Sequence, residues 1–122
     1  TYTGHPLACA AALATLDLYA DDGLFERARS LEPFWEAAVH GLAGRRHVVD
    51  IRNFGLVAGV EMAPRAGAPG ARGQELFRAL FDAGYLVRAT GDIIALSPPL
   101  IISEDEIADL VGALADALDA LA

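Results

Sequence analysis

A chain of 122 residues, 54% of them apolar, is large enough for one domain with its own hydrophobic core. The formal net charge of −8 argues against nucleic acid as a partner, because all nine basic residues are arginines and they are dispersed along the chain. No apolar run approaches the ~20 residues of a membrane span, and no charged segment leads into an apolar one as in a signal peptide.

The first predicted helix follows the opening residues TYTGHP. Pro6 suits a first helical turn, where its missing N–H would be unpaired anyway. Apolar residues recur at helical spacing over 7–18, and Gly23 predicts the end of the helix. Cys9 is the single cysteine, which excludes an internal disulfide. Its place among alanines predicts a buried structural thiol and fits a reducing, cytoplasmic setting.

The chain then changes from helical to strand-like patterning. The spacing is helical from residue 24 to about 43, and Pro33 is expected to kink this helix or divide it in two. Two β-rich runs follow, HVVDIRN and LVAGVEM, and the short glycine-containing link between them predicts a hairpin. Gly55 and Gly59 lie in this region, where glycine usually allows a bulge or the close approach of another group.

The remaining elements indicate the fold class. An amphipathic helix over QELFRALFDAG ends at Gly84, and two short strands, YLVRA and DIIALS, flank a turn at Thr90–Gly91. A capping box of Ser103 and Glu106 begins the last helix. Strands joined by short turns and crossed by helices predict an α+β fold, an antiparallel sheet with helices packed on one face.

The residues before the first helix are a candidate anion site. Thr1, Thr3 and the backbone N–H groups of Gly4 and His5 lie ahead of a helix N-terminus, where free N–H groups and the positive end of the helix dipole favour negative charge. A threonine at such a place also often serves only as a helix cap. From the residues alone, both interpretations stay open.

Arg88 is the second candidate. It lies in the strand YLVRA after apolar residues, and a half-buried arginine needs an anionic partner, because an unpaired buried charge is costly. One of the chain's own carboxylates could be that partner. Alternatively, the planar guanidinium could bind a substrate carboxylate in two places.

No metal site is expected from the sequence. His5, His40 and His47 show no spacing of the HExxH type. The acidic clusters at 21–22 and 104–106 lie at helix ends, where capping and the helix dipole explain them without catalysis.

Taken together, four stretches resemble the C-terminal part of class III aminotransferases, which are pyridoxal-phosphate enzymes of fold type I. They are TYTGHPLACAAALATLDL, VDIRNFGLVAGVEM, YLVRATGDIIALSPPLIISEDEI and the closing helix, and they cover essentially the whole chain in order. The sequence is most similar to the branch that transfers an amino group from an omega-amino acid or amine, such as β-alanine, to pyruvate.

The resemblance implies roles for both candidate sites. Thr1 matches the family threonine that hydrogen-bonds the phosphate of the cofactor, pyridoxal 5′-phosphate, which is held mainly by the partner subunit of a dimer. Arg88 matches the family arginine that binds the substrate carboxylate and swings aside when the substrate has none. Thr3 replaces the more usual serine of the motif and keeps its hydroxyl.

The resemblance also implies that part of the catalytic machinery is missing. Transamination needs a lysine that binds the cofactor covalently and moves a proton, and this chain has no lysine. No catalytic residue is therefore expected in the chain, and alone it should be inactive. We expect a fragment or segment of a longer protein, with the phosphate-contact motif and linking helix in residues 1–23, the C-terminal small domain in 24–122, and the large cofactor-binding domain absent.

Other functions stay open at this point. The chain could be a non-catalytic α+β binding or dimerisation domain, or part of an ornithine- or diamine-type aminotransferase that uses 2-oxoglutarate. The family implies a homodimer or dimer of dimers whose ligands are an amino donor and a 2-oxo acid. Without the large domain, the apolar face of the first helix is expected to cause self-association.

Overall fold

A computed structural model describes residues 3–121 and contains four helices and four strands in these residues. In chain order they are α1 (Pro6–Asp21), α2 (Leu24–His40), β1 (Val48–Phe54), β2 (Val57–Met62), α3 (Ala71–Asp82), β3 (Arg88–Thr90), β4 (Ile93–Leu96) and α4 (Glu104–Ala120). This is the order of helices and hairpins that the sequence predicts.

The strands form one antiparallel sheet in the order β1-β2-β4-β3. Alternate residues of each strand point to opposite faces. The inner face is apolar and buried, with Ala58, Val60 and Met62 from β2 and Ile94 and Leu96 from β4. The other face, here called the outer face, carries exposed or half-buried residues, so only one side of the sheet is covered.

Helices α2, α3 and α4 all pack on the inner face. Their buried side chains join those of the strands in one hydrophobic cluster, with Trp35, Leu76 and Leu114 each 0% exposed. The sheet with helices on one face is the predicted arrangement. The predicted capping box at the start of α4 is also present, since Ser103 Oγ accepts from the N–H of Glu106 and the Glu106 carboxylate accepts from the N–H of Ser103.

Helix α2 passes through Pro33 without a break, so the expected division of this helix is wrong. Pro33 is exposed, so its ring displaces no core side chain. The buried residues Leu31, Trp35 and Val39 continue along one side of the helix on both sides of the proline. Packing of this face onto the sheet outweighs the lost backbone hydrogen bond.

Helix α1 differs from the others because none of its residues is buried. Leu7 and Leu13 are 74% and 65% exposed, and Cys9 is exposed as well, so the expectation of a buried thiol is wrong for the described residues. The alanine-rich surroundings predicted a packed helix, but the other elements within residues 3–121 leave every residue of α1 outside the core. None of the helices between residues 3 and 121 has the length and apolar character to cross a membrane.

Candidate functional site

Arg88 lies on the outer face of the sheet. It begins β3, an edge strand, and pairs with Ala95 of β4. Its neighbours Val87 and Ala89 point into the core, so the arginine side chain points away from the core and is exposed. Arg88 also lines an open cavity of about 740 Å³ between β3, the segment 97–102 and the start of α4.

The guanidinium of Arg88 makes no hydrogen bond or ion pair with any residue in 3–121. Among the described arginines, only Arg78 resembles it in this respect. The sequence left open an ion pair between Arg88 and one of the chain's carboxylates. That pair is not formed within the described residues, so the planar donor groups are available to a ligand.

A row of four residues crosses the outer face of the sheet at the level of Arg88. Arg88 pairs with Ala95, Ala95 with Gly59, and Gly59 with Arg52. Paired residues of antiparallel strands lie on the same face, so two arginines flank two very small residues. Three strand spacings separate the arginines by roughly 14 Å.

The two arginines of this row differ in their partners. Arg52 donates hydrogen bonds to Glu61, at 2.8 Å, and to Asp50. The hydrogen bond that Arg52 donates to Glu61, followed by the one that it donates to Asp50, raises the pKa of Arg52 above its usual value. Arg52 is thus held by the sheet, whereas Arg88 is not.

No contact among the described residues requires a glycine at position 59, in the middle of this row. A Cβ at this position would lie 3.6 Å from Ile93 Cγ2 and 3.9 Å from Arg52, which is ordinary van der Waals contact. The register shift in the β1–β2 pairing lies between Val48 and Asp50, so Gly59 is not a bulge. Gly55, by contrast, occupies the hairpin turn with a positive φ of 55°.

The turn after β3 is attached to helix α3. Asp92 Oδ2 accepts a 2.7 Å hydrogen bond from the N–H of Gly70, and Oδ1 accepts a 3.2 Å bond from the N–H of Gly73. Gly70 is the N-cap of α3 and has no side chain, so a carboxylate 22 residues further along the chain caps this helix. The hairpin that carries Arg88 is thereby fixed to the helix layer.

The opposite wall of the cavity is fixed by α2. Arg27 Nη2 donates to the backbone carbonyls of Ile101 and Ile102, at 2.9 and 2.8 Å. Glu106, at the start of α4, also lines the cavity. Hydrogen bonds from the backbone N–H and then the hydroxyl of Ser103 lower the pKa of Glu106, so it stays ionised and faces the same cavity as Arg88.

Tyr85 also lines the cavity. Tyr85 donates its phenolic hydrogen to Asp109 Oδ2 at 2.7 Å. This hydrogen bond raises the pKa of Tyr85, so the phenol stays protonated and donating. The cavity thus combines one unpaired cation, apolar walls and acidic groups that already have donors.

Thr1, the second predicted site residue, lies outside the described residues. The structure describes the chain from Thr3, and α1 begins at Pro6 with His5 as its N-cap. No side chain of the cap residue bonds the helix, and the first intrahelical bond is Cys9 N–H to His5 O at 2.9 Å. The first N–H groups of a helix have no partner inside it, so this end can receive an anion.

The histidines are not gathered at a metal centre. Within residues 3–121, no group of three or more histidine, cysteine or carboxylate side chains is close enough to hold a metal ion. His40 Nε2 instead lies 2.9 Å from Asn53 Oδ1 of β1.

Reasoning from the sequence missed three residues of this region, namely Asp92, Gly73 and Arg27. The sequence predicted a turn at Thr90–Gly91, one residue before the observed turn at Gly91–Asp92, and did not indicate the helix to which the Asp92 carboxylate is bonded. Gly73 lies inside a helix, where glycine is costly, and this cost is a usable sign of close packing.

Comparisons with known proteins identify the family of the chain. Residues 1–118 match the family model described as aminotransferase class III. The chain is 61% identical to an omega-aminotransferase from Caulobacter vibrioides over 91% of this chain and 25% of that protein. It is 40% identical to a β-alanine–pyruvate aminotransferase from Pseudomonas aeruginosa over 100% of this chain and 27% of that protein.

A solved structure is similar over almost the whole chain. It is an adenosylmethionine-8-amino-7-oxononanoate aminotransferase from Methanocaldococcus jannaschii, with a TM-score of 0.88 and 31% identity over 99% of this chain and 29% of that one. This match confirms the predicted α+β fold of a fold type I aminotransferase segment. The chain spans about a quarter of the length of the curated relatives it matches. On this evidence, the chain belongs to the class III aminotransferase family.

Proposed function

We propose that this chain is the C-terminal part of a pyridoxal-phosphate-dependent aminotransferase that transfers an amino group from an omega-amino acid or amine, such as β-alanine, to pyruvate. The observation that carries the proposal is the family match over residues 1–118, together with relatives whose names specify omega-amino donors and pyruvate. The remaining three quarters of such an enzyme would supply the large cofactor-binding domain.

The chain divides into two parts in this proposal. Residues 1–23 form the phosphate-contact motif and a linking helix, and residues 24–122 form the small domain. The burial pattern supports this division, since α1 has no buried residue while the core is drawn from residues 31–121.

Arg88 is proposed to bind the carboxylate of the amino acid or 2-oxo acid. Its support is geometric, because the guanidinium is exposed on the outer face and unpaired among the described residues. A carboxylate and a guanidinium form two parallel hydrogen bonds, which fixes the orientation of the substrate as well as its affinity. Two small neutral residues, Ala95 beside it and Gly59 on the next strand, leave room for the substrate chain.

Thr1 is proposed to hydrogen-bond the phosphate of the cofactor. The start of α1 fits a phosphate, since it is exposed and the side chain of its N-cap residue makes no cap hydrogen bond to the helix. When bound, pyridoxal phosphate takes the amino group from the donor and delivers it to the acceptor. The lysine that this chemistry requires is absent from these 122 residues, so the chain alone is expected to be inactive. The cytoplasmic location and the dimer or dimer of dimers stay predictions.

The test is a pair of arginine variants in the full-length protein that carries this chain, loaded with pyridoxal phosphate. Arg88→Ala should raise the KM for β-alanine and for pyruvate by roughly a hundredfold, as expected for a lost bidentate charged pair worth about 3 kcal/mol. A carboxylate-free amine should react in its half-reaction at nearly the unaltered rate.

Arg29→Ala is the matched control, since Arg29 is exposed on α2 and bonds only the exposed Glu26. This variant should change the kinetics with neither type of substrate. Equal losses on carboxylate and amine substrates in Arg88→Ala would refute the role given to Arg88. An unaltered protein that transfers no amino group to pyruvate would refute the reaction itself, and a parallel assay with 2-oxoglutarate tests the alternative acceptor.

A further inference from the structure

Strand β3, which carries Arg88, is the less anchored strand of its hairpin, since β4 also pairs with β2 and buries Ile94 and Leu96. Strand β3 has three residues, lies at the edge of the sheet and pairs with β4 alone. A two-residue turn, Gly91–Asp92, joins the two strands, and Gly91 has the positive φ of 59° that the first position of a type II′ turn requires. The position of the hairpin tip therefore depends on contacts that the turn makes outside the hairpin.

Asp92 makes these contacts. Both of its carboxylate oxygens accept backbone hydrogen bonds from the first turn of α3, at Gly70 and at Gly73. Its own carbonyl accepts a 2.9 Å bond from the N–H of Met62 in β2. One residue thus joins the hairpin tip to the helix layer and to the adjacent strand.

The glycines opposite the turn allow this attachment. A Cβ on Gly73 would lie 2.0 Å from the carbonyl oxygen of Gly91, so only glycine permits the helix and the turn to touch. Gly70 has a φ of 82°, a conformation that other residues adopt only with strain. A Cβ at this position would also point at Gly91. Shape and hydrogen bonding therefore fix the tip together.

We propose that Asp92 is a positioning residue for Arg88, and that by anchoring the β3–β4 turn to α3 it determines how strongly the enzyme prefers carboxylate-bearing substrates over plain amines. This inference rests on the proposed function, in which Arg88 binds the substrate carboxylate. Asp92 lies four residues from Arg88, in the turn that follows the three-residue strand β3, so a displaced tip moves the start of β3 as well. It does not need to touch the substrate.

The experiment uses the full-length, cofactor-loaded protein and measures single-turnover half-reactions with the amino donor alone. The two donors are β-alanine and 1-propylamine, which differ by the carboxylate. Three variants are compared: Asp92→Ala, Asp92→Asn and, as a matched control at the other end of α3, Asp82→Asn. Hydrogen exchange of the amides at residues 70–73 in the cofactor-free protein reports the anchor independently of activity.

Asp92→Ala should lower kcat/KM for β-alanine about tenfold, mainly through KM, since misplacing a binding group by about 1 Å has effects of this order. The rate with 1-propylamine should stay within about twofold. Asp92→Asn should give a smaller shift of the same ratio, because its amide oxygen keeps one acceptor. Exchange at residues 70–73 should speed up in both variants, and Asp82→Asn should match the unaltered protein.

An unchanged ratio of the two donors in both Asp92 variants, or an equal loss on both donors, would overturn the positioning role. If Asp92→Ala does not fold, the ratio in Asp92→Asn decides alone. If the unaltered protein transfers no amino group from either donor, the proposed function is overturned. In that case, faster hydrogen exchange at residues 70–73 in the Asp92 variants would show that Asp92 anchors the turn without serving this reaction.

Discussion

The contact between α3 and the β3–β4 turn makes a prediction about Gly73→Ala that can be worked out from distances. The added Cβ would lie 2.0 Å from the Gly91 oxygen. A carbon and a carbonyl oxygen normally approach to about 3.3 Å, so helix and turn must separate by roughly 1.3 Å. Overpacking of this kind costs about 1–3 kcal/mol. The Asp92 cap on α3 is weakened by the same movement, at about 1 kcal/mol.

One effect opposes this loss of stability. Alanine is a better helix former than glycine by about 1 kcal/mol in a helix interior. The net destabilisation expected for Gly73→Ala is therefore about 2 kcal/mol. Gly112→Ala is the control, since Gly112 lies in α4, is exposed and would have no atom within 4 Å of its new Cβ. It should stabilise the chain by about 1 kcal/mol.

The assay is urea unfolding of the 122-residue chain, followed by the fluorescence of Trp35. Trp35 is the single tryptophan and is fully buried in the core, so its emission reports the loss of the helix–sheet packing. The two variants should shift the midpoint in opposite directions. If Gly73→Ala raises the midpoint as Gly112→Ala does, the close approach of α3 to the turn is wrong, and the support for Arg88 argued from it is lost.

Three further predictions concern the rest of the chain. Hydrogen bonds from Ser103 lower the pKa of Glu106. The stability that this carboxylate contributes is therefore complete at pH values above 4.5, its ordinary pKa, and is lost as the pH falls through the lowered pKa. Glu106→Gln should weaken the dependence of the urea midpoint on pH in that acidic range. Arg27→Ala should lower the free energy of unfolding by about 1–2 kcal/mol, because two backbone carbonyls lose their charged donor, and hydrogen exchange should speed up in the segment after β4. Cys9 should react with a thiol reagent in the isolated chain without urea, because it is exposed; protection until unfolding would contradict the exposed α1.

The elements of the fold could be predicted because their signals are local. Hydrophobic spacing and the capping box of α4 need only neighbouring residues, and the two β-rich runs separated by a glycine turn became β1 and β2. Helix α3 began three residues before the predicted QELFRALFDAG, at Ala71. Its cap comes from Asp92 in another element, which no local pattern contains.

The candidate site was predictable to the same extent. The motif around Arg88 indicated a carboxylate-binding arginine, and alternation along the strand was consistent with its position on the outer face. The absence of an ion pair within the described residues depends on where the carboxylates of other elements lie, which the sequence does not specify. The prediction of a buried Cys9 was wrong for a related reason, since burial of a helix depends on what packs against it, and no residue of α1 is buried in the described part of the chain.

The bare surface of α1 has a mechanical consequence. A helix of 16 residues is about 24 Å long at 1.5 Å per residue. In the proposed division of the chain, α1 would be a rigid spacer between the threonine motif and the small domain. Because no side chain of α1 enters the core, the small domain imposes no sequence on it. It imposes a length instead, since one inserted residue would rotate the threonine end by about 100° and advance it by about 1.5 Å. The alanine-rich composition suits such a spacer, which has to stay straight and keep its count of turns.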